Sequence, residues 1–209
     1  MQRPASAATD PRLQLAPVPT STRVWLFALA VGLPVAITAI ALAFAMAADG
    51  PKRLIAGSEA ATWLVSLGGL AVLTLAIWAV LDRLLRRHSL ALGADTLEIR
   101  TGFNTCKVAY ADLRLDEARV VDLAERPEYR PMLKLNGTGL PRYQGGWYLV
   151  RDRSRAFVAI TGGPRALWIP GRGKHALLLQ PRQPQALLDA LRAAVAAARS
   201  TDAARRAGA

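Results

Sequence analysis

A chain of 209 residues has room for one or two domains. It is 52% hydrophobic, rich for an ordinary soluble domain, yet its formal net charge is +12; one uniform core cannot explain both, so apolar and charged residues must be segregated along the chain. Cys106 is the single cysteine, which excludes an internal disulfide and agrees with a reducing compartment.

Residues 1–23, with four prolines, predict a flexible cytoplasmic segment with no fold of its own. From Val24 to Ala48, and again from Ala60 to Leu81, there is no charged residue. Each run exceeds the roughly 20 residues that a helix rising ~1.5 Å per residue needs to cross ~30 Å of hydrocarbon. Neither shows the polar stripe of a helix on a soluble core. The stretch between them, "DGPKRLIAGSE", carries Gly50, Pro51 and Gly57 and reads as a turn. A two-helix transmembrane hairpin over 24–82 follows. Ala45 and Ala47 also fit a signal-peptidase site, which would make the first span a cleaved signal. The apolar run is about twice the ~7–15 residues of a typical signal core, which favours an anchor.

Arg12 and Arg23 precede the first span and Arg83, Arg86 and Arg87 follow the second, whereas Lys52 and Arg53 between them are offset by Asp49 and Glu59. Positive-inside bias places both termini in the cytoplasm; heavy use of Ala, Leu and Arg is what a GC-rich bacterial genome encodes, so the expected location is a bacterial inner membrane. Ala28, Gly32 and Ala36 form one small-residue face; Thr62 and Ser66, with Gly68 and Gly69 nearby, form another. These faces can meet within the hairpin or between two copies. Pro34 removes a backbone donor and predicts a kink. Neither span contains an ionisable residue, which argues against a transporter or channel.

After His88 the period changes to two. "TLEIRTG" and "TCKVAY" alternate as a hairpin around Gly102 and Asn104, and "ARVVDL", "GWYLVR", "AFVAIT", "ALWIP" and "HALLLQ" follow between Pro and Gly breakers. About seven short strands predict a mainly-β domain over 90–198, a small antiparallel barrel or sandwich. Leu187, Leu188, Leu191, Val195 and Ala198 then mark one face of a helix begun by Pro184, suited to cover an open end of the barrel. Residues 199–209 read as a flexible tail.

"LNGTGLPRYQGGWYLV", residues 135–150, is the one glycine-rich stretch that raises the question of phosphate binding. A nucleotide-hydrolase loop needs Lys-Ser or Lys-Thr after its last glycine, and a dinucleotide fingerprint must open a helix. Here Gly139 is followed by Leu-Pro-Arg-Tyr and then by a strand, so both readings fail. Asn136-Gly137 and Gly145-Gly146 predict sharp turns, making the stretch a shaped loop leading into a strand.

With Lys134, Asn136, Gly137, Gly139, Pro141, Tyr143, Gly146 and Trp147, this stretch resembles the basic-Asn-Gly-x-Gly-x-Pro-Gly-Tyr-x-x-Gly-aromatic loop of bacterial membrane proteins carrying a pleckstrin-homology-like (PH-like) domain of poorly known function. Arg142 stands where glycine is usual. The resemblance spans residues 90 to 198. It implies a PH-like barrel of about seven antiparallel strands capped by one C-terminal helix, and no catalytic activity.

Candidate chemistry is sparse. His88 and His175 have no acidic or cysteine neighbour at metal-ligand spacing, and His175 reads as a surface residue at a strand start. Cys106 falls on the apolar side of its strand, as a small buried hydrophobe rather than a nucleophile. Asp112, Asp116, Glu117, Asp122, Glu125 and Glu128 read as a solvated face. No metal, cofactor or catalytic residue is expected. Arg142, Arg151, Arg153, Arg155, Arg165, Arg172 and Lys174 gather around loops of the second half and offer a surface for anionic lipid headgroups or an acidic partner. Arg100 and Lys107 are the basic residues of the first hairpin, too few for the paired pattern of lipid-binding PH domains. Nucleic acid is disfavoured by the tether and by the lack of a binding motif. The expectation is an integral membrane, non-enzymatic protein that binds a protein partner or self-associates, with lipid sensing as the alternative and an enzyme with an unfamiliar site as the third.

Overall fold

A hydrogen-bonded helix needs no neighbour to satisfy its backbone, and an uncharged run as long as Val24 to Ala48 forms one in lipid. In the computed structural model, which describes residues 14–48, 54–173 and 175–207, helices run over Thr20–Ala47 and Glu59–Leu85, 28 and 27 residues long. Both are long and apolar enough to cross a membrane. Only 11% and 6% of their most apolar windows are buried, with Phe44 and Leu64 exposed at 74% and 75%, the reverse of a helix packed in a soluble core. Arg12, Asp49, Lys52, Arg53 and Lys174 lie outside the described residues. The chain divides into two compact units, Thr20–Leu84 and a second that begins at Leu85 and takes in residues 14–19.

Within the helical unit, the Pro34 disturbance takes the form of a π-helical turn, Ala28–Gly32, immediately before it. Two of the charges just outside the uncharged runs meet: Arg23 Nε and Nη2 donate to the two carboxylate oxygens of Asp82 at 2.6 and 3.2 Å. Phe27 and Trp78 stack edge to face at 5.4 Å. Thr62 fastens the start of the second helix, its hydroxyl donating to the Ser58 carbonyl and accepting from Ile55 N. Within one chain the described glycines of these two helices do not serve as contact points. A Cβ added at Gly32, Gly68 or Gly69 would meet nothing within 4 Å.

Among the described residues the β unit has nine strands in two sheets. β1 (His88–Leu92), β2 (Thr96–Thr101) and β3 (Asn104–Ala109) form an antiparallel meander. β4 (Arg119–Asp122), β5 (Pro131–Leu140), β6 (Tyr143–Val150), β7 (Arg155–Ile160), β8 (Arg165–Ile169) and β9 (His175–Leu179) form a sheet in the order β4-β8-β9-β7-β6-β5. β7 and β9 pair in parallel, against the wholly antiparallel expectation. The ladders make two separate sheets of three and six strands, not a closed barrel.

The apolar runs explain the layering. Phe157, Ala159, Leu177, Leu179, Leu167 and Ile169 face one way, into a core shared with Leu90, Leu97, Ile99, Cys106 and Val108 of the small sheet. Ala156, Val158, Leu178, Ala166 and Trp168 face the other way, into a second core with Leu123 and Tyr129. A sheet buried on both faces reads as continuous hydrophobics, as "AFVAI" and "ALLL" do. The terminal helix, Pro184–Ala207, buries Leu187, Leu188 and Leu191 in the first core with Val195 and Ala198 beside it, on the predicted face. It continues to Ala207, so helix replaces the flexible tail expected from residue 199.

The N-terminal segment also departs from expectation. Leu15 bridges Pro181 and is 5% exposed in the first core, with Ala16 N donating to Gln180 O and Arg182 N to Gln14 O. Leu15 stands in a stretch, "QLAPVP", too short and too interrupted by proline to show a period, so this short addition to the fold has no signature in the local pattern.

Candidate functional site

The glycine-rich stretch is a complete β-hairpin. Gly137 faces Gly146 and Thr138 faces Gly145 across the β5–β6 ladder, so these glycines lie inside strands and not at the sharp turns expected of them. They allow close backbone approach: Gly146 has φ 116°, and a Cβ there would stand 2.6 Å from Asn136 O. The turn itself is Pro141-Arg142, closed by Leu140 opposite Tyr143. Arg142 takes φ 60°, the left-handed conformation for which glycine is usual. Gly162 makes room for it, since a Cβ at Gly162 would lie 2.8 Å from that of Arg142. Tyr148 Oη ties the hairpin further by donating to Thr138 O at 2.8 Å.

The basic candidates separate into two groups. β6 turns into β7 at residues 151–154, and β7 and β9 start side by side, Arg155 opposite His175. Arg151, Arg153, Arg155 and Arg172 therefore share one end of the large sheet, while Arg142 and Arg165 lie at the opposite end. Arg153 is held at φ 68° in a turn closed by its N–H to Val150 O, and Ser154 N donates to Asp152. Among the described residues none of these four arginines has an ion pair. Arg100 and Lys107 differ: both pair with Glu98, at 2.7 and 3.7 Å. The Arg100 hydrogen bond, ahead of the two positive charges, holds the Glu98 carboxyl below its ordinary value. The first hairpin's two cations thus share one carboxylate, which offsets part of their charge.

Near the arginine-bearing end, between β5, β6, β7 and β9, lies a cleft of about 390 Å³ lined by Leu135, Asn136, Trp147, Arg155 and His175. Trp147 is half-buried and meets Phe157 and His175 edge to face at 5.2 and 5.0 Å. Of the basic candidates among the described residues, Arg155 lines this cleft, and His175, expected on the surface, is half-buried on the same lining. In the sequence Asn136 carried only a turn-forming role and Trp147 only a place in the loop resemblance; their opposition across the ladder is what gives them a shared site.

Cys106 is buried in the first core and its thiol is pushed up to about 11 by that burial, as suits a small hydrophobe. His88 is another titratable residue shifted by burial. Burial lowers its pKa to about 4, and neither ring nitrogen has a hydrogen-bond partner. Its ring lies 5.8 Å from that of Tyr143, whose buried hydroxyl is also unpartnered and is pushed up to about 12 by burial, then by Tyr148. The acidic series from Asp112 to Glu128 is exposed apart from a half-buried Asp122 that accepts from Ala124 N. Among the described residues no three metal-ligating side chains converge.

The large sheet has two edges, the four-residue β4 and β5, whose ten residues pair, among the described residues, with β6 alone. Met132, Leu133 and Leu135 are exposed on it at 58%, 55% and 42%. Comparison with protein-family models, curated proteins and solved structures finds no match.

Proposed function

We propose that the chain is a membrane-anchored, non-enzymatic protein whose PH-like β unit takes hold of a protein partner, a second copy included, at the cytoplasmic face of a bacterial inner membrane. The two long apolar helices support the anchor, and Arg83, Arg86 and Arg87 support the orientation. β5 carries the reading. An edge strand offers a row of free backbone donors and acceptors, and proteins usually blunt it with charge or brevity. β5 is long and bears one charge, Lys134, while Met132 and Leu133 stand more than half exposed. Strand addition with apolar side-chain pockets is the recognition mode such an edge serves.

Because Cys106 is buried, Leu133→Cys introduces the one accessible thiol of the described residues. In native membranes, a maleimide photo-crosslinker at this position is expected to trap a protein adduct or a dimer, and Ala193→Cys on the exposed side of the terminal helix is expected to trap neither. Equal labelling with no adduct at position 133 would end this reading.

The gathering of Arg151, Arg153, Arg155 and Arg172 at one end favours a second reading, attraction to anionic headgroups, each charge contributing ~1 kcal/mol near such a surface. In nanodiscs, phosphatidylserine is then expected to slow amide exchange in the β6–β7 turn, and salt to reverse it. Identical exchange in neutral discs would exclude it.

A further inference from the structure

We propose that the cleft between β5, β6, β7 and β9 binds a carboxylate carried on an apolar body, a function that does not rest on partner capture by the outer edge of β5. Three features of the site carry this assignment. The first is a β-bulge. The β5–β6 register slips between Lys134 and Asn136, which face Tyr148 and Trp147, leaving Leu135 as the extra residue. In a regular strand, neighbouring residues point to opposite faces. Here Leu135 and Asn136 both line the cleft, an apolar and an amide side chain in succession.

The second feature is a set of polar groups without internal work. Among the described residues, the side chains of Asn136, Arg155 and His175 make no hydrogen bond or ion pair, although all three line one cavity. Together they present a guanidinium fork, an amide and an imidazole. The planar fork of arginine matches the two oxygens of a carboxylate. Among the described residues Arg155 is the one arginine or lysine on the lining, so the complement they offer is a single negative charge; a phosphate monoester near −2 would be left partly uncompensated by them.

The third feature is the wall. Trp147, fixed edge-on by Phe157 and His175, and Leu135 supply an apolar surface next to the cation. A cavity of about 390 Å³ falls in the range of ~300–1,000 Å³ usual for small-ligand sites. A bare inorganic anion would leave that surface unused. Two sources share the chemistry: a free organic acid, and the carboxyl terminus of a peptide.

The test uses the full chain in detergent micelles and titrates four kinds of probe by ligand-observed NMR: 3-phenylpropionate, its neutral amide, phenyl phosphate, and a pentapeptide ending in phenylalanine with a free or an amidated terminus. Hydrogen bonds to a charged group predict about tenfold or more between acid and amide. Saturable binding of the acid, weaker binding of the amide by that factor, and loss of the difference in Arg155→Gln are expected. Arg155 is exposed, so the variant should keep the parent's thermal unfolding curve, which is measured alongside. Arg172→Gln, outside the cleft lining, is expected to change nothing. A free-carboxyl peptide that binds more tightly than 3-phenylpropionate assigns the site to a chain terminus, and the reverse assigns it to a small acid. Equal binding of acid and amide, an unaffected Arg155→Gln, an equally damaging Arg172→Gln, tighter binding of phenyl phosphate, or no saturation by any acid would overturn the assignment.

Discussion

Glycine has opposite meanings in the two halves of this molecule. In the helical unit, Gly32, Gly68 and Gly69 border empty space, and a methyl group at any of them would touch nothing within 4 Å. In the β unit, Gly137 and Gly146 face each other where two backbones approach too closely for side chains. Apolar exposure reverses in the same way: Phe44 and Leu64 stand about three-quarters open, whereas Leu97, Ile99 and Phe157 are fully buried. The cause is where each half finds its hydrogen bonds and its apolar solvent. A helix closes its own backbone bonds and can give its surface to lipid. A strand must find its partners elsewhere in the chain and bury its face against them, so single positions decide whether the half holds together.

The largest test of this contrast is Gly146→Ala. A side chain at φ 116° is strained, and its Cβ would stand 2.6 Å from both Asn136 O and Gly137 Cα. We expect a loss of about 3 kcal/mol or more, combining strain and overlap. Thermal unfolding of the solubilised chain, followed by protease resistance of the β unit, measures it. A parent-like melting temperature would show that the hairpin can spread without cost.

The contrast also predicts where pH sensitivity resides. The uncharged runs of the helical unit hold no titratable group, whereas the β unit buries His88 neutral. The folded pKa of about 4 lies below the ordinary 6.5, so the unfolded chain binds the proton first as pH falls. This contribution is unchanged above about pH 6.5 and is lost progressively down to about pH 4. A gap of roughly 2.5 pH units at ~1.4 kcal/mol each amounts to about 3 kcal/mol. Denaturant midpoints at pH 7.5 and 4.5 are expected to diverge in the parent and to draw together in His88→Gln. An unchanged divergence in the variant would assign the acid sensitivity to other groups.

How much of this was readable beforehand differs between the halves for the same physical reason. The helices follow from uncharged length alone, and their ends are misjudged only slightly: Asp82 and Arg23 look like flanking charges, and their pairing depends on the hairpin bringing them together. In the β unit, alternation reveals β2 and β3, and continuous apolar runs reveal β7 to β9. β5 is hidden because its Pro and Gly residues imitate a loop and its exposed side chains lack a buried face. β1 is hidden because only Leu90 of its five residues is fully buried. The cleft was half legible. Arg155 was found as one charge among several, but Asn136, Trp147 and His175 become neighbours only through a bulge and a parallel pairing, which no local pattern encodes.

The smallest expected effect is the most discriminating for assembly. Gly32→Ala and Gly68→Ala remove helix-weakening glycines and add a methyl group to empty space, so stability should shift by no more than about 1 kcal/mol, toward the folded state. The same small residues also suit close packing between helices of different copies, because lipid offers no hydrophobic drive and association depends on intimate contact. The two roles separate cleanly when each variant is assayed for unfolding and for crosslinked dimer. If unfolding is unchanged and dimer falls, the glycines serve a contact between copies. If neither moves, the helices act as an anchor alone, and any self-association must be built by the β unit.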